Sequence, residues 1–210
     1  LDIAYHPNGG SIALSFESNT ADVSLWTISD PNFGVGTQVT VSQQLPIPDG
    51  VMYGIGDLDF SPDGSLLFGS NYYNDGVIWD VMNASIITNY ANSLPNIMVN
   101  PVYENVLTWC SGCDNFYILS FQGDVLREFV IPKILDATFS ADGNTLLTLD
   151  KEDSLNIRVQ HWDINTGELL QTRIGQDWQI TNDLYLSPDG ETITILSIKT
   201  IVVYSVNTGE

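Results

Sequence analysis

Gly56 to Asp80 reads GDLDFSPDGSLLFGSNYYNDGVIWD. Leu58 and Phe60 alternate with polar residues as a short strand, and Ser61-Pro62-Asp63-Gly64 has the composition of a tight turn. Ser65 to Gly69 forms a second apolar strand, and Val77 to Val81 a third. Equivalent turns begin at His6, Ser61, Asn100, Ser140 and Ser187, in steps of 55, 39, 40 and 47 residues. Third strands superpose as well: VSLWTI at 23–28, GVIWDV at 76–81, FYILSF at 116–121, VQHWDI at 159–164 and IVVYSV at 201–206.

A period near 40 to 45 residues with four strands per repeat is the mark of a β-propeller. The sequence therefore predicts an all-β chain of four-stranded antiparallel blades. Five repeats are visible, at about 1–45, 52–90, 94–131, 134–174 and 180–210, within one propeller domain or segment. The long first step comes from an insertion around Leu45 to Tyr53, of the kind that sits in a loop. No stretch of useful length has helical periodicity. The last repeat stops at Asn207-Thr208-Gly209-Glu210, which aligns with Asn165-Thr166-Gly167-Glu168 just before a fourth strand, so an outer strand is missing there. Further blades of the same chain are expected on that ground.

Phe60 to Gly64 together with Trp79 and Asp80 resembles the WD-repeat propellers, whose blades carry a Phe-Ser-Pro-Asp-Gly turn and end the third strand in Trp-Asp; Trp162 and Asp163 repeat that ending. No repeat carries the family's Gly-His pair before the first strand, so its internal hydrogen-bond tetrad is not implied. The resemblance implies a non-catalytic scaffold for a protein or peptide partner. Trp79 and Trp162 are expected at equivalent interblade positions in the core.

Composition narrows the alternatives. Six basic against 26 acidic residues give a formal charge of −20, which opposes nucleic acid and anionic membrane surfaces. No apolar run is long enough for a membrane helix, so membrane insertion is not expected. The charge itself reads either as a solubility device or as a surface for a basic partner or cations.

Repeat geometry collects the links between second and third strands, and those between blades, at one end. That loop face gathers Glu17, Tyr72, Tyr73, Asp75, Trp109, Asp114, Asp153 and Trp178, aromatics beside charges on a rigid frame, and is the expected partner-binding surface. The plainer reading is that some of these aromatics only cover blade ends. A second pattern places Asp2, Asp57, Asn96, Asp136 and Asp183 at one position of successive first strands, a polar ring at a channel mouth. Oxygen-rich rings hold hard cations such as calcium, though this one is wide and would need bridging water. Alternatively each carboxylate serves local backbone donors. No other cofactor is expected.

Cys110-Ser111-Gly112-Cys113 lies in a loop and lacks the strand-to-helix setting of a redox motif. A loop disulfide and two thiols remain open. Zinc would need more ligands, and His6 and His161 are too far apart in the repeat pattern. His6 reads as a turn residue and His161 as a satisfied strand histidine. Asn83-Ala84-Ser85 is a single acceptor triplet for glycosylation of the kind chance supplies. With no nucleophile elbow or phosphate-cradling loop, no catalysis is expected. Two other classes compete: an accessory propeller of a larger enzyme such as a prolyl-oligopeptidase-like hydrolase, and an extracytoplasmic ligand- or cation-binding propeller.

Overall fold

The computed structural model describes residues 2–16, 23–30, 36–49, 51, 54–73, 75–90, 95–152, 156–176, 180–187, 192–197 and 201–205. All regular elements in them are strands. β1 (Asp2–Tyr5), β2 (Ser11–Ser15), β3 (Val23–Ile28) and β4 (Val39–Leu45) form the first sheet in sequence order. The second sheet consists of β5 (Asp57–Phe60), β6 (Leu66–Ser70), β7 (Gly76–Asp80) and β8 (Ser85–Tyr90). β9 (Asn96–Val99), β10 (Asn105–Trp109), β11 (Asn115–Ser120) and β12 (Val125–Val130) make the third. The fourth holds β13 (Ile134–Phe139), β14 (Thr145–Lys151), β15 (Asn156–Asp163) and β16 (Leu169–Gln176). β17 (Ile180–Leu186), β18 (Thr192–Ser197) and β19 (Ile201–Ser205) give a three-stranded sheet among the described residues.

The chain resolves into two compact units. One comprises 1–99, 104–108 and 118–126; the other comprises 100–103, 109–117 and 127–210.

Turn chemistry fixes each sheet's first hairpin. In the second sheet the Ser61 hydroxyl oxygen accepts from Leu66 N at 2.9 Å and its proton goes to Asp63 Oδ1 at 2.7 Å, while Gly64 N donates to the Ser61 carbonyl at 2.8 Å. Ser140, Asp142, Gly143 and Thr145 repeat this pattern in the fourth sheet. Gly64 has φ 74°, open to glycine, and a Cβ there would strike the His6 ring. His6, expected only as a turn residue, therefore does more. Its Nδ1 accepts from Asn8 N, which leaves the proton on Nε2 to reach the Gly64 carbonyl at 3.2 Å. Asn100 acts alike in the other unit, donating from Nδ2 to the Gly143 carbonyl at 2.9 Å.

Burial follows strand position. The second strands β6, β10 and β14 are buried on both faces, as in Leu67, Phe68, Leu107, Leu146 and Leu149, which explains their largely apolar composition. The outer strands β8 and β12 alternate: Ile87 and Leu126 are exposed, whereas Tyr90 and Phe129 turn inward. Trp79, fully buried, donates Nε1 to the Pro46 carbonyl at 2.6 Å, across to the segment after the first sheet. Trp162 is only half-buried; its ring meets Phe129 of β12 edge-on, with centroids 5.7 Å apart, and Nε1 donates to Thr148 Oγ1. Pairing between third and fourth strands slips at Trp26, Trp79 and Trp162 in turn, so a β-bulge recurs at the tryptophan of the third strand.

Candidate functional site

The β6–β7 loop starts from Asn71, whose side-chain oxygen accepts from Tyr73 N at 2.8 Å and Asp75 N at 3.1 Å. Its amide nitrogen donates to Asp75 Oδ2 at 3.1 Å, and its backbone N donates to the Asp75 carbonyl. Asn71 is itself buried. A fixed polar hub thus holds a tight loop whose tip, Tyr72 and Tyr73, is 77% and 56% exposed. Two adjacent aromatic rings on a braced loop offer a large contact area at low ordering cost.

In the second unit Trp109 does not face solvent. It ends β10 and is 6% exposed, so it contributes to the core, and its expected place on the contact surface is corrected. An aromatic at a strand end is as well suited to capping a sheet as to meeting a partner. Asp114 is exposed, but Oδ1 accepts from Lys133 N at 3.1 Å and its carbonyl accepts from Ile131 N at 2.8 Å. Between these two residues Cys110 and Cys113 form a disulfide, and Gly112 N donates to the Ile134 carbonyl. Glu17, Asp153 and Trp178 lie outside the described residues.

The inner-strand polar positions are engaged with backbone. Asp2 Oδ2 accepts from Leu58 N, and Asp57 Oδ2 from Ile97 N, both at 2.7 Å. Each carboxylate therefore ties its own first strand to the first strand of the next sheet. Asp59, which the repeat pattern does not single out, makes a third such tie to Val99 N at 2.7 Å. These three donors belong to neighbouring sheets, and Asp59 Oδ1 accepts as well from Phe60 N of its own strand at 2.9 Å. Asp136 in the second unit does serve its local chain, accepting from Ala137 N at 2.8 Å. Asn96 begins β9 and is partly exposed; the side chain of Asp183 lies outside the description.

Burial raises the Asp57 carboxyl to about 8 against the Ile97 N–H, and the charge of the hydrogen-bonded Asp2 carboxyl adds to the rise. Asp59 is lifted to about 6, mainly by burial, despite its bonds to Val99 N and Phe60 N. These groups are occupied as connectors, and among the described residues no three His, Cys, Asp or Glu side chains are grouped to hold a metal ion.

The histidines are also engaged. His161 Nε2 lies 2.7 Å from Thr145 Oγ1, and burial holds its pKa down. In the same unit the fully buried Asp150 pairs with Arg158 at 2.8 Å, a satisfied internal ion pair on a cross-strand couple.

The chain matches no protein-family model and no curated protein sequence. Solved structures do resemble it. One is a chain from Kuenenia stuttgartiensis hydrazine synthase, with a TM-score of 0.77 at 18% identity, covering 99% of this chain and 63% of that one. Another is the β-propeller domain of Myceliophteria thermophila Cps50 (Swd1), with a TM-score of 0.73 at 16% identity, covering 97% and 64%. The sheets are propeller blades. The chain spans less than two thirds of the length of either solved chain.

For this propeller the likeness establishes the fold alone. The tetrad that the missing Gly-His pair leaves unsupported is not assembled around the two Trp-Asp endings: Trp79 Nε1 uses Pro46, and only Trp162 finds a second-strand hydroxyl, that of Thr148. No helix among the described residues is long and apolar enough to cross a membrane.

Proposed function

We propose that this propeller is a non-catalytic scaffold that binds a protein or peptide partner through its loop face, with no cofactor. The observation that carries the reading is the β6–β7 loop: Tyr72 and Tyr73 stand exposed on a turn braced by four hydrogen bonds between Asn71 and residues 73 and 75. Interface energy concentrates in a few aromatic anchors held in place before binding, and this loop supplies two. Asp75, partly exposed at the base of the loop, favours a partner with basic groups close to its apolar contact. Nucleic acid does not fit, since a chain of formal charge −20 repels phosphate backbones.

The experiment is site-specific photocrosslinking with a benzophenone amino acid at position 73, in a lysate of the source organism. A defined adduct that disappears with Tyr72→Ala, in a variant that melts like the wild type, supports the reading. Adducts unchanged by Tyr72→Ala, or none at all, reject it.

A second reading makes the chain an accessory propeller of a larger enzyme. It draws support from the likeness to a chain of a protein named as a synthase, of which this chain spans 63%. Full-length sequence carrying a catalytic domain of another fold beside the propeller would favour it.

A further inference from the structure

At the opposite end of the β6 strand, an open groove of about 600 Å³ lies between the first hairpin turn of the first sheet and the second sheet. His6 forms one side, and the segments Asp63–Leu66 and Asp80–Asn83 form the rest. All of these belong to the first compact unit. The volume falls in the range that accepts a small ligand or a few peptide residues. Apolar surface dominates the lining, and Met82, 88% exposed, stands at its edge as a flexible side chain able to adapt to a guest.

The two carboxylates are held in their ionised form by fixed donors. Asp63 is lowered by the Ser61 hydroxyl and by Ser65, and Asp80 by Asn83 through its backbone N and side-chain amide. Those bonds also fix where the negative charge sits. No Lys or Arg lines the groove to answer it. The deficit extends beyond the groove. Arg127, Lys133, Lys151, Arg158, Arg173 and Lys199 are all the Lys and Arg of the chain, so its first 126 residues contain none, and neither does the first unit.

We propose that this groove binds an extended basic peptide segment, with an arginine or lysine head beside the Asp63 and Asp80 carboxylates and its aliphatic stem over Leu66, Val81 and Met82. Long basic side chains match such a surface in both parts: methylenes cover apolar floor while the charged head reaches the carboxylate rim. The uniformly anionic unit steers such a segment toward it. The site is separate from the Tyr72–Tyr73 loop and stands or falls independently of it.

The test is fluorescence anisotropy with a fluorescein-labelled hexapeptide of alternating arginine and leucine, and its citrulline–leucine counterpart as neutral isostere. Binding of the arginine peptide at 50 mM salt, weakened at 300 mM, is expected. The citrulline peptide should bind more than about tenfold worse, since it loses every charge interaction. Asp80→Asn, which keeps an acceptor for Asn83 N, should weaken binding by about fivefold, the upper end for one exposed ion pair. Met82→Lys alters a residue 88% exposed, so folding is spared, and it should abolish binding by placing a competing cation in the groove. Asp49→Asn removes the same charge at an exposed site outside the lining and should change affinity less than twofold. Equal weakening by Asp49→Asn and Asp80→Asn would show diffuse attraction and overturn the proposal. So would full binding by Met82→Lys, equal binding of the citrulline peptide, or no binding to the wild type at millimolar concentrations.

Discussion

Neutralising one inner-strand carboxyl should change how stability depends on pH. Asp57 titrates at about 8 in the folded chain against an ordinary 3.8, because burial, and then the Asp2 charge, penalise its ionised form. Its protonated form is therefore favoured by folding. The resulting stability is fully present below about pH 4 and is lost as pH rises through 8. Between pH 5 and pH 9 the folded state gives up about three pH units of proton-linked stability, which at about 1.4 kcal/mol per unit is ~4 kcal/mol. Asp57 retains some surface, and water reaching it reduces this to roughly 2–4 kcal/mol. Asp59, at about 6, loses about 1 kcal/mol more over the same range.

Asp57→Asn keeps a side-chain oxygen for Ile97 N and offers an amide proton toward the Asp2 carboxyl in place of the Asp57 carboxyl proton. The variant should match the wild type near pH 5 and exceed it by roughly 2–4 kcal/mol at pH 9. Urea unfolding followed by tryptophan fluorescence at half-unit pH steps measures this. The opposite contribution of His161, whose burial lowers its pKa, is present in both proteins and cancels. Parallel pH profiles for wild type and variant, or a Asp57 carboxyl carbon that titrates near pH 4 by NMR, would refute the reasoning.

Other expectations follow from packing. Gly64→Ala should lose roughly 1–3 kcal/mol, because φ is 74° there and the added methyl meets the His6 ring; a melting point equal to that of the wild type would contradict the turn geometry. Trp79→Ala should cost roughly 3–5 kcal/mol in urea unfolding and Trp162→Ala distinctly less, since only Trp79 is fully buried. Reducing the Cys110–Cys113 bond, which closes a loop of about four residues, should lower stability by no more than about 2 kcal/mol. Non-reducing peptide mapping should recover the two cysteines in one linked fragment.

Much of the fold can be read from the sequence because turn residues and buried strands leave different marks. Ser61-Pro62-Asp63-Gly64 and Ser140-Ala141-Asp142-Gly143 each make a turn with a positive-φ glycine, and β6, β10 and β14, buried on both faces, appear as largely apolar stretches. Strand ends are harder. β4 runs over Val39–Leu45 and so ends inside the stretch that reads as an insertion, and the bulge at the third-strand tryptophan has no composition of its own. Trp109 shows why site residues resist sequence reading. A tryptophan that closes a strand carries the same letter whether it caps the core or faces a partner, and only burial separates the two.

Asp59 illustrates the opposite gap. It sits between Leu58 and Phe60 in an ordinary alternation, and its role depends on Val99 N, 40 residues away. His6 is similar, since its bond to Gly64 joins residues 58 apart. Asp63 and Asp80 of the groove stand in the Ser-Pro-Asp-Gly turn and the Trp-Asp ending, motifs that read as structure, though the confinement of all Lys and Arg to residues after 126 is plain in the sequence and signals where an anionic surface lies. The loop-face tyrosines, by contrast, were legible as a pair of adjacent aromatics in an inter-strand link.

The central claim, recognition through the β6–β7 loop, is tested most directly by calorimetric titration of the partner identified by crosslinking, or of its minimal peptide, against wild type and the Tyr72→Ala/Tyr73→Ala double variant. The account predicts that affinity falls by about 2 kcal/mol or more, some thirtyfold, while the melting temperature is unchanged, as expected of exposed aromatic anchors. Equal affinity for the two proteins would contradict it.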